Sequence, residues 1–556
     1  MRKKYIFVSG GVISGLGKGI TTASIALLLK NSGYKVTPIK FENYLNIDAG
    51  TINPIEHGDP FLCEDGTEAD MDMGTYEKFL GVNMTKVNFV TMGQIYREVI
   101  EKERRFEYMG EDVQEVVHIT GEIIRRIGIA LDATKSDIAV IELGGTAGEY
   151  QNILYYEASR MLTFKNPGDV IHVHVSYLPT PSHLGEPKTK PAQLSVRTVN
   201  SMGIQPDILV ARSDKPIDDR RKSRLALFCN IHEEDVISSY DVKNVYEIPL
   251  VIEKQNITAQ ICKKLGIPYK KPQMTSWKNM VKKAEAKKKD FVTIAIVGKY
   301  FATGDYQLKD SYAALFDAID HASVPDNLEV NVVWVDAQKV EKFGTEEFLA
   351  KVDGIIVPIG WGKRGAEGMI AAASYARTQK IPYLGLCYGM QLAVVAFARD
   401  VLKLQDANTE ENNKKSKNLV IHFIPSQAEL VKKRAYGGTM RLGGWEAFVD
   451  KKSIAYSIYN KHLALLDKKK GLISERHRHR YEFNNEYTSD FEKKGLHISA
   501  WSRVGHLAEI FELKKSDHPF YIGIQGHPEY KSLPLTPHPL FIEFISACKA
   551  KSKMVK

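Results

Sequence analysis

The sequence predicts an α/β protein, with a doubly wound parallel sheet in its first half and a second α/β domain after it. Three observations carry this. Short apolar runs alternate with helix-length segments through both halves. A glycine-rich loop ending in a lysine follows the first run directly. In the second half a Gly-x-Cys-x-Gly turn joins a run to a helix. Residues 4–8, 35–39, 137–143, 170–175 and 207–210 read as buried strands, and residues 21–30 as a helix stopped by Gly33. Strands that alternate with helices need crossover connections, which puts helices on both faces of a parallel sheet. A second series begins at Phe291, with strands at 291–297, 330–335, 354–358, 383–386 and 521–524. Between the two series, Lys282, Lys283, Lys287, Lys288 and Lys289 crowd a stretch with little apolar content, which reads as a solvated linker. The expected organisation is one domain over 1–270, a linker over 271–290 and a second domain over 291–556. Residues 410–418 read as a polar loop and 549–556 as a frayed basic tail.

Of 556 residues, 44% are hydrophobic and 26% charged, which excludes a disordered, fibrous or disulfide-scaffold protein. The net charge of +9 points to polyanionic partners, either nucleic acid or nucleotides. The five cysteines, Cys63, Cys229, Cys262, Cys387 and Cys548, are odd in number and none are spaced Cys-x-x-Cys, so neither a disulfide framework nor a zinc site is expected. The basic N-terminus precedes an apolar run of only four residues, too short for a signal peptide. No run reaches the roughly 18 apolar residues of a membrane span. These features predict a reducing cytoplasm and no membrane partner.

The loop Gly10-Gly-Val-Ile-Ser-Gly-Leu-Gly-Lys-Gly-Ile20 sits between the first strand and a helix. There, backbone N–H groups and the helix N-terminus face an anion, and Lys18 reaches its terminal phosphates. A strict phosphate-binding loop would have Gly at Val12 and Ser or Thr at Gly19, so this is a variant. Asp72, and Glu142 at the carboxyl end of a strand, are the candidate ligands for Mg²⁺ on a nucleotide, which takes one or two carboxylates plus phosphate oxygens. Lys188 and Lys190, between prolines, form a stiff basic loop suited to a triphosphate.

Gly385-Leu-Cys387-Tyr-Gly389 is a nucleophile elbow with Cys in place of Ser. Far downstream, Gln525-Gly-His527-Pro-Glu529 supplies a base and a residue to orient it. His527 would take the thiol proton and Glu529 would fix the imidazole tautomer. The N–H groups of Gly360 and Tyr388 are candidates for an oxyanion hole. His477 and His479 alternate with arginines in Arg476-His-Arg-His-Arg480, which favours anion or carboxylate recognition over a metal.

Along essentially its whole length the chain resembles the CTP synthase family, glutamine-dependent amidoligases that convert UTP to CTP. The resemblance rests on residues 10–20, Glu64-Asp-Gly, 70–74, 142–148, 188–193, 204–209, 226–230, Gly437-Gly-Thr-Met-Arg-Leu-Gly443 and 475–481, together with the cysteine triad in this order. It implies a P-loop-like doubly wound parallel-sheet synthase domain followed by an α/β class I glutaminase domain. It implies ATP binding, with Mg²⁺, by Ser14, Gly15, Leu16, Gly17, Lys18, Gly19, Ile20, Asp72 and Asp241, the metal on Asp72 and Glu142. UTP or inhibitory CTP would meet Ser14, Glu149, Gln151, Lys188, Thr189, Lys190, Gln193 and Arg224. Glutamine would meet Gly360, Tyr388, Gln391, Glu411 and Arg480. Arg364 and Glu367 match a segment linked to activation by GTP, and residues 437–443 match a mobile lid. The family is a homotetramer, with no nucleic-acid partner.

The chain departs from the family pattern at several positions. Ile359 replaces a glycine of the oxyanion loop, and Ile does not readily adopt positive φ, so a reshaped loop is expected. Tyr388 stands for a leucine and Gly526 for a phenylalanine. Gln151 stands for a glutamate and Arg224 for a lysine. These departures motivate an alternative: a divergent paralogue with altered pyrimidine specificity, or with a weakened glutaminase serving as a regulatory or filament subunit. Carboxylate amidoligases share both half-activities but need no triphosphate loop. A DNA-partitioning ATPase would leave the second half unexplained.

Overall fold

The computed structural model describes residues 2–53, 58–183, 185–288, 290–299, 302–303, 306–307, 312–427 and 437–555; Lys289 of the predicted linker lies outside them. The chain divides into two compact units, Met1–Ala49 with Asp72–Glu285, and Gly50–Met71 with Ala286–Lys556. Residues 50–71 thus group with the second unit, although the sequence placed them in the first. Thr275–Glu285, expected within a linker, is a helix whose Trp277, Met280 and Val281 are buried.

The first unit is built on seven parallel strands: β1 (Lys4–Gly11), β2 (Val36–Glu42), β3 (Phe89–Thr91), β4 (Ile138–Leu143), β5 (Val170–Tyr177), β6 (Ile208–Ser213) and β7 (Val236–Tyr240). Their spatial order is β3-β2-β4-β1-β5-β6-β7. Phe7, Ile39, Phe41, Val90 and Ile141 pack one face against helices, and Leu209, Ala211, Ala192, Val196 and Leu225 form a smaller core. Helix Lys18–Asn31 is buried nearly all round by small and aliphatic residues, so it lacks an amphipathic stripe.

The second unit holds a nine-stranded mixed sheet: β8 (Asp290–Gly298), β9 (Leu328–Asp336), β10 (Gly354–Val357), β11 (Tyr383–Leu386), β12 (Arg441–Val449), β13 (Leu472–His479), β14 (Leu496–Ser502), β15 (Ala508–Leu513) and β16 (Tyr521–Ile524). In the order β9-β8-β10-β11-β16-β15-β14-β12-β13 the first five are parallel and the remaining pairings antiparallel. Sequence periodicity missed the antiparallel strands, because they bury Arg441, Arg476, Arg478, Glu509 and Glu512 among their apolar residues. The three arginines and Glu509 are paired within the unit, and Glu512 accepts from the N–H groups of Ile454 at 2.7 Å and Ala455 at 2.9 Å. Arg478 meets Glu68 at 2.6 Å and Asp59 at 3.2 Å, and Arg476 meets Glu64 at 3.0 Å. Removal of one partner from such a buried pair costs several kcal/mol, about 3–5, which accounts for residues 50–71 belonging to this unit. The C-terminal helix runs from Pro539 to Val555, so the tail expected to fray is ordered; Lys549 and Lys553 lie 3.9 Å from Asp326 and Asp290.

Candidate active sites: a phosphate cradle and a cysteine elbow

In the first unit β1 runs into the glycine loop and helix Lys18–Asn31 starts at its end. Gly15 (φ 69°) and Gly17 (φ 95°) supply left-handed backbone, and Val12 (φ 85°) shares it. The Lys18 stem folds back over Gly10, where a Cβ would sit 2.6 Å from the lysine Cδ. Its ammonium donates to the Gly145 carbonyl, after β4. Burial foremost, then Lys40, lowers the Lys18 pKa. A Cβ on Gly19 would collide with the Asp72 carboxylate, so Asp72 lies against the first turn of the helix.

Asp72 and Glu142, the two predicted metal ligands, come together on the ammonium of Lys40. Lys40, two residues before the end of β2, meets Glu142 at 2.7 Å, Glu42 at 3.1 Å, and Asp72. Tyr76 donates to the second oxygen of Glu142. Glu142 is fully buried, and its pKa is raised by burial and by Asp72, against the pull of Lys40. The donor set is carboxylate oxygen, which suits a hard divalent cation. Lys40 escaped the sequence reading, yet it carried the signal that singled out Glu142: a charged residue just beyond an apolar parallel strand.

Lys190 opens helix Lys190–Ser201 with Pro191 behind it, and the Gln193 amide donates to the Thr189 hydroxyl at 3.1 Å. Lys188 pairs with Glu186, which also takes Arg221 at 2.5 Å. Glu149 accepts from the Thr146 N–H at 2.7 Å and from Asn43 at 3.0 Å, so it braces the turn after β4. Gln151 and Ser14 are exposed. Asp241 pairs with Arg212, and Arg224 lies 5.8 Å from the Phe228 ring on its own helix.

In the second unit the register of β11 against β16 aligns Leu386 with Ile524, and the Cys387 N–H donates to the Ile524 carbonyl at 2.8 Å. That alignment brings Cys387 beside Gln525 and His527. Cys387 has φ 50° and ψ −100° at the start of helix Tyr388–Asp400, a strained elbow. A Cβ on Gly385 would lie 2.9 Å from the Gly389 backbone, and one on Gly389 would strike the Val357 carbonyl, so both elbow glycines are dictated by packing. His527 Nδ1 lies 2.7 Å from Glu529 Oε1. Its Nε2 has no conventional hydrogen-bond partner among the described residues, but Cys387 affects the ring's titration. Burial opposes the imidazolium; Glu529 and Cys387 outweigh it and raise the His527 pKa to about 10. The Gln525 amide lies 3.5 Å from the Cys387 sulfur and is held by Gln391 at 3.1 Å. The other four cysteines are buried free thiols.

Lys299 and Tyr388 clamp the loop after β10. The Lys299 ammonium lies 4.4 Å from the centre of the Tyr388 ring and donates to the carbonyls of Trp361, at 3.1 Å, and Gly362. The Tyr388 hydroxyl lies 3.0 Å from both the Gly362 carbonyl and Asn412 Oδ1. Glu411 accepts from the Gly362 N–H at 2.8 Å. A Cβ on Gly360 would lie 3.2 Å from both Lys299 and Tyr388. Burial lowers the Lys299 pKa to about 8. Ile359 does not need positive φ: Gly362 (φ 70°) takes the left-handed position, and Ile359 joins the core. Arg480 donates to Gln427 at 3.1 Å and Thr439 at 2.9 Å, Arg364 to the Lys299 carbonyl at 3.0 Å, and Arg399 holds Glu367 at 2.5 Å.

Arg476 and Arg478 hold carboxylates, as the run suggested, but those of Glu64, Glu68 and Asp59 in their own unit. His477 and His479 are equally internal: each lies 3.3 Å from Arg441, which pairs with Glu509 at 2.6 Å. Burial, then Arg441, keeps both imidazoles neutral by lowering their pKa. At Gly526 a Cβ would lie 2.9 Å from the Glu475 Cβ and 3.2 Å from the Arg476 carbonyl. Gly526→Ala is therefore expected to destabilise the second unit by about 1–3 kcal/mol, read by denaturant unfolding.

The family model described as "CTP synthase N-terminus" matches residues 4–267. The model described as "Glutamine amidotransferase class-I" matches residues 307–547. The CTP synthase of Sulfolobus acidocaldarius is 45% identical over 548 residues, 98% of this chain and 100% of the relative. That of Pyrococcus abyssi is 45% identical, covering 98% of both chains. The chain belongs to the CTP synthase family. As a CTP synthase it is a glutamine-hydrolysing ligase of pyrimidine nucleotide synthesis. The structure of the Trypanosoma brucei CTPS glutaminase domain with bound acivicin is 34% identical, covers 47% of this chain and 94% of that one, and has a TM-score of 0.41. Among CTP synthases of archaea and bacteria the identity of 43–45% extends over at least 98% of this chain, with no sign of the divergent paralogue. No helix of the described residues is long and apolar enough to cross a membrane.

Proposed function

We propose that the two sites divide the amination of UTP between them. The observation that supports this most is that one chain carries both a lysine-bearing phosphate cradle with carboxylates and an assembled Cys387–His527–Glu529 site. ATP lies on Ser14, Gly15, Leu16, Gly17, Lys18, Gly19 and Ile20, with Asp241 towards the nucleoside. Asp72 and Glu142 would hold Mg²⁺, which when bound neutralises charge on the transferring phosphoryl group. Lys18 is placed to stabilise that charge, and Lys40 to hold the carboxylates in position. UTP takes Lys188, Thr189, Lys190 and Gln193 at its triphosphate, with Glu149, Gln151 and Arg224 nearby. Phosphorylation of the pyrimidine 4-oxygen turns a poor leaving group into phosphate, which ammonia then displaces.

In the glutaminase, His527 holds the proton of Cys387, so the sulfur attacks the glutamine amide as a thiolate. Glu529 holds the imidazolium, and the Gly360 and Tyr388 N–H groups receive the oxyanion. The leaving ammonia takes a proton from His527, and water then hydrolyses the thioester. Gln391, Glu411 and Arg480 orient the substrate. Ammonia passes internally, because free ammonia in neutral water is mostly protonated and no longer nucleophilic. Arg364 and Glu367 belong to the response to GTP, CTP is the feedback inhibitor, and the working form is a cytoplasmic homotetramer. Purified protein with ATP, Mg²⁺ and UTP is expected to form CTP with either glutamine or ammonium chloride; no product with either would overturn this reading.

A further inference from the structure

Beneath the glycine loop lies a buried chain of three side chains that the chemistry above does not use. Ser9, near the end of β1, is aligned with His174 of β5. The Ser9 hydroxyl lies 2.9 Å from His174 Nδ1, and His174 Nε2 lies 2.8 Å from the Ser195 hydroxyl. His174 is wholly buried. Ser195 belongs to helix Lys190–Ser201, whose first turn carries Lys190 and Gln193. The contact with the loop is tight: a Cβ on Gly11 would collide with the Ser195 hydroxyl and lie 3.1 Å from His174 Nε2. At the other end, Ser9 also hydrogen-bonds Tyr156, on the helix that follows Glu149 and Gln151.

We propose that His174 is a positioning residue that couples the ATP loop to the helix presenting the UTP triphosphate residues. This rests on the functional reading above. A neutral imidazole has one donor and one acceptor nitrogen. If Nδ1 donates to Ser9, Nε2 must accept from Ser195; in the other tautomer both reverse. The two hydroxyls are therefore set in concert, and a change at one end alters what the ring offers the other. Burial foremost, with Lys18 adding to it, lowers the His174 pKa to about 3, so the ring stays neutral and keeps this role across the working pH range. The Gly11–Ser195 contact sets the loop backbone against the very hydroxyl that the ring orients, so the contact keeps its geometry only while His174 holds Ser195.

The test is a double-mutant cycle on the full-length protein, with ammonium chloride as nitrogen source and denaturant unfolding as the check that each variant is folded. Ser195→Ala is expected to raise the apparent KM for ATP as well as for UTP by about 3- to 10-fold, with kcat little changed, and Ser9→Ala to raise the KM for UTP. In a His174→Ala background, adding Ser195→Ala should leave the KM for ATP unmoved. If His174→Ala does not fold, His174→Phe, a ring of similar shape with no donor or acceptor, carries the same cycle. A Ser195→Ala effect confined to UTP, or effects on the KM for ATP that multiply independently of His174, would overturn the coupling while wild-type CTP synthesis stands. A wild-type protein that makes no CTP would overturn the functional reading, and the coupling with it.

Discussion

Cys387→Ala abolishes glutamine-dependent CTP formation, by about 10³-fold or more, and leaves ammonium-dependent formation within about twofold. The expectation follows from the elbow's geometry. The sulfur acts on the titration of His527, and its main-chain position is fixed by the Ile524 carbonyl and the two elbow glycines. Alanine fits the same φ and ψ no worse than cysteine and removes no hydrogen bond that the fold depends on. The Gln525 amide loses its contact with sulfur but keeps Gln391. A parallel loss of ammonium-dependent activity would mean that the two chemistries are not separable, and would sink the division of labour proposed here. Steady-state rates with each nitrogen source, on the same preparation, decide it.

Lys18→Met should have the complementary signature: loss of CTP formation from both nitrogen sources by about 10²–10³-fold, with glutaminase chemistry in the second unit retained. Methionine keeps much of the stem that packs over Gly10 and removes only the cation. The retained fold makes the loss a loss of charge at the transferring phosphoryl group, and the Gly145 carbonyl, which loses its donor, is the main structural cost. A variant that still phosphorylates UTP at near-normal rate would show that Lys18 only braces the loop after β4.

The parallel strands and both site loops were legible because each shows a pattern that local chemistry enforces: an apolar run, then glycines, then a charged or nucleophilic residue. Cys387, His527 and Glu529 meet because adjacent parallel strands end side by side, which the Gly-x-Cys-x-Gly and His-Pro-Glu motifs already imply. What sequence reading lost was whatever depended on buried charge. Arg476 and Arg478 look like solvent-facing or anion-binding residues until Glu64, Glu68 and Asp59 are found against them. Lys40 looks like an ordinary strand end until its three carboxylates are in place. Ile359 pointed to a reshaped loop because positive φ was expected at its position; Gly362 takes the left-handed backbone.

Lys40 also gives the first unit an internal counter-ion. Glu42, Asp72 and Glu142 share one ammonium, which offsets part of their mutual repulsion as the chain folds. On the reading proposed above, a metal-bearing nucleotide would meet a cluster already gathered. Release of the spent nucleotide can leave the same cluster behind, ready for the next turnover.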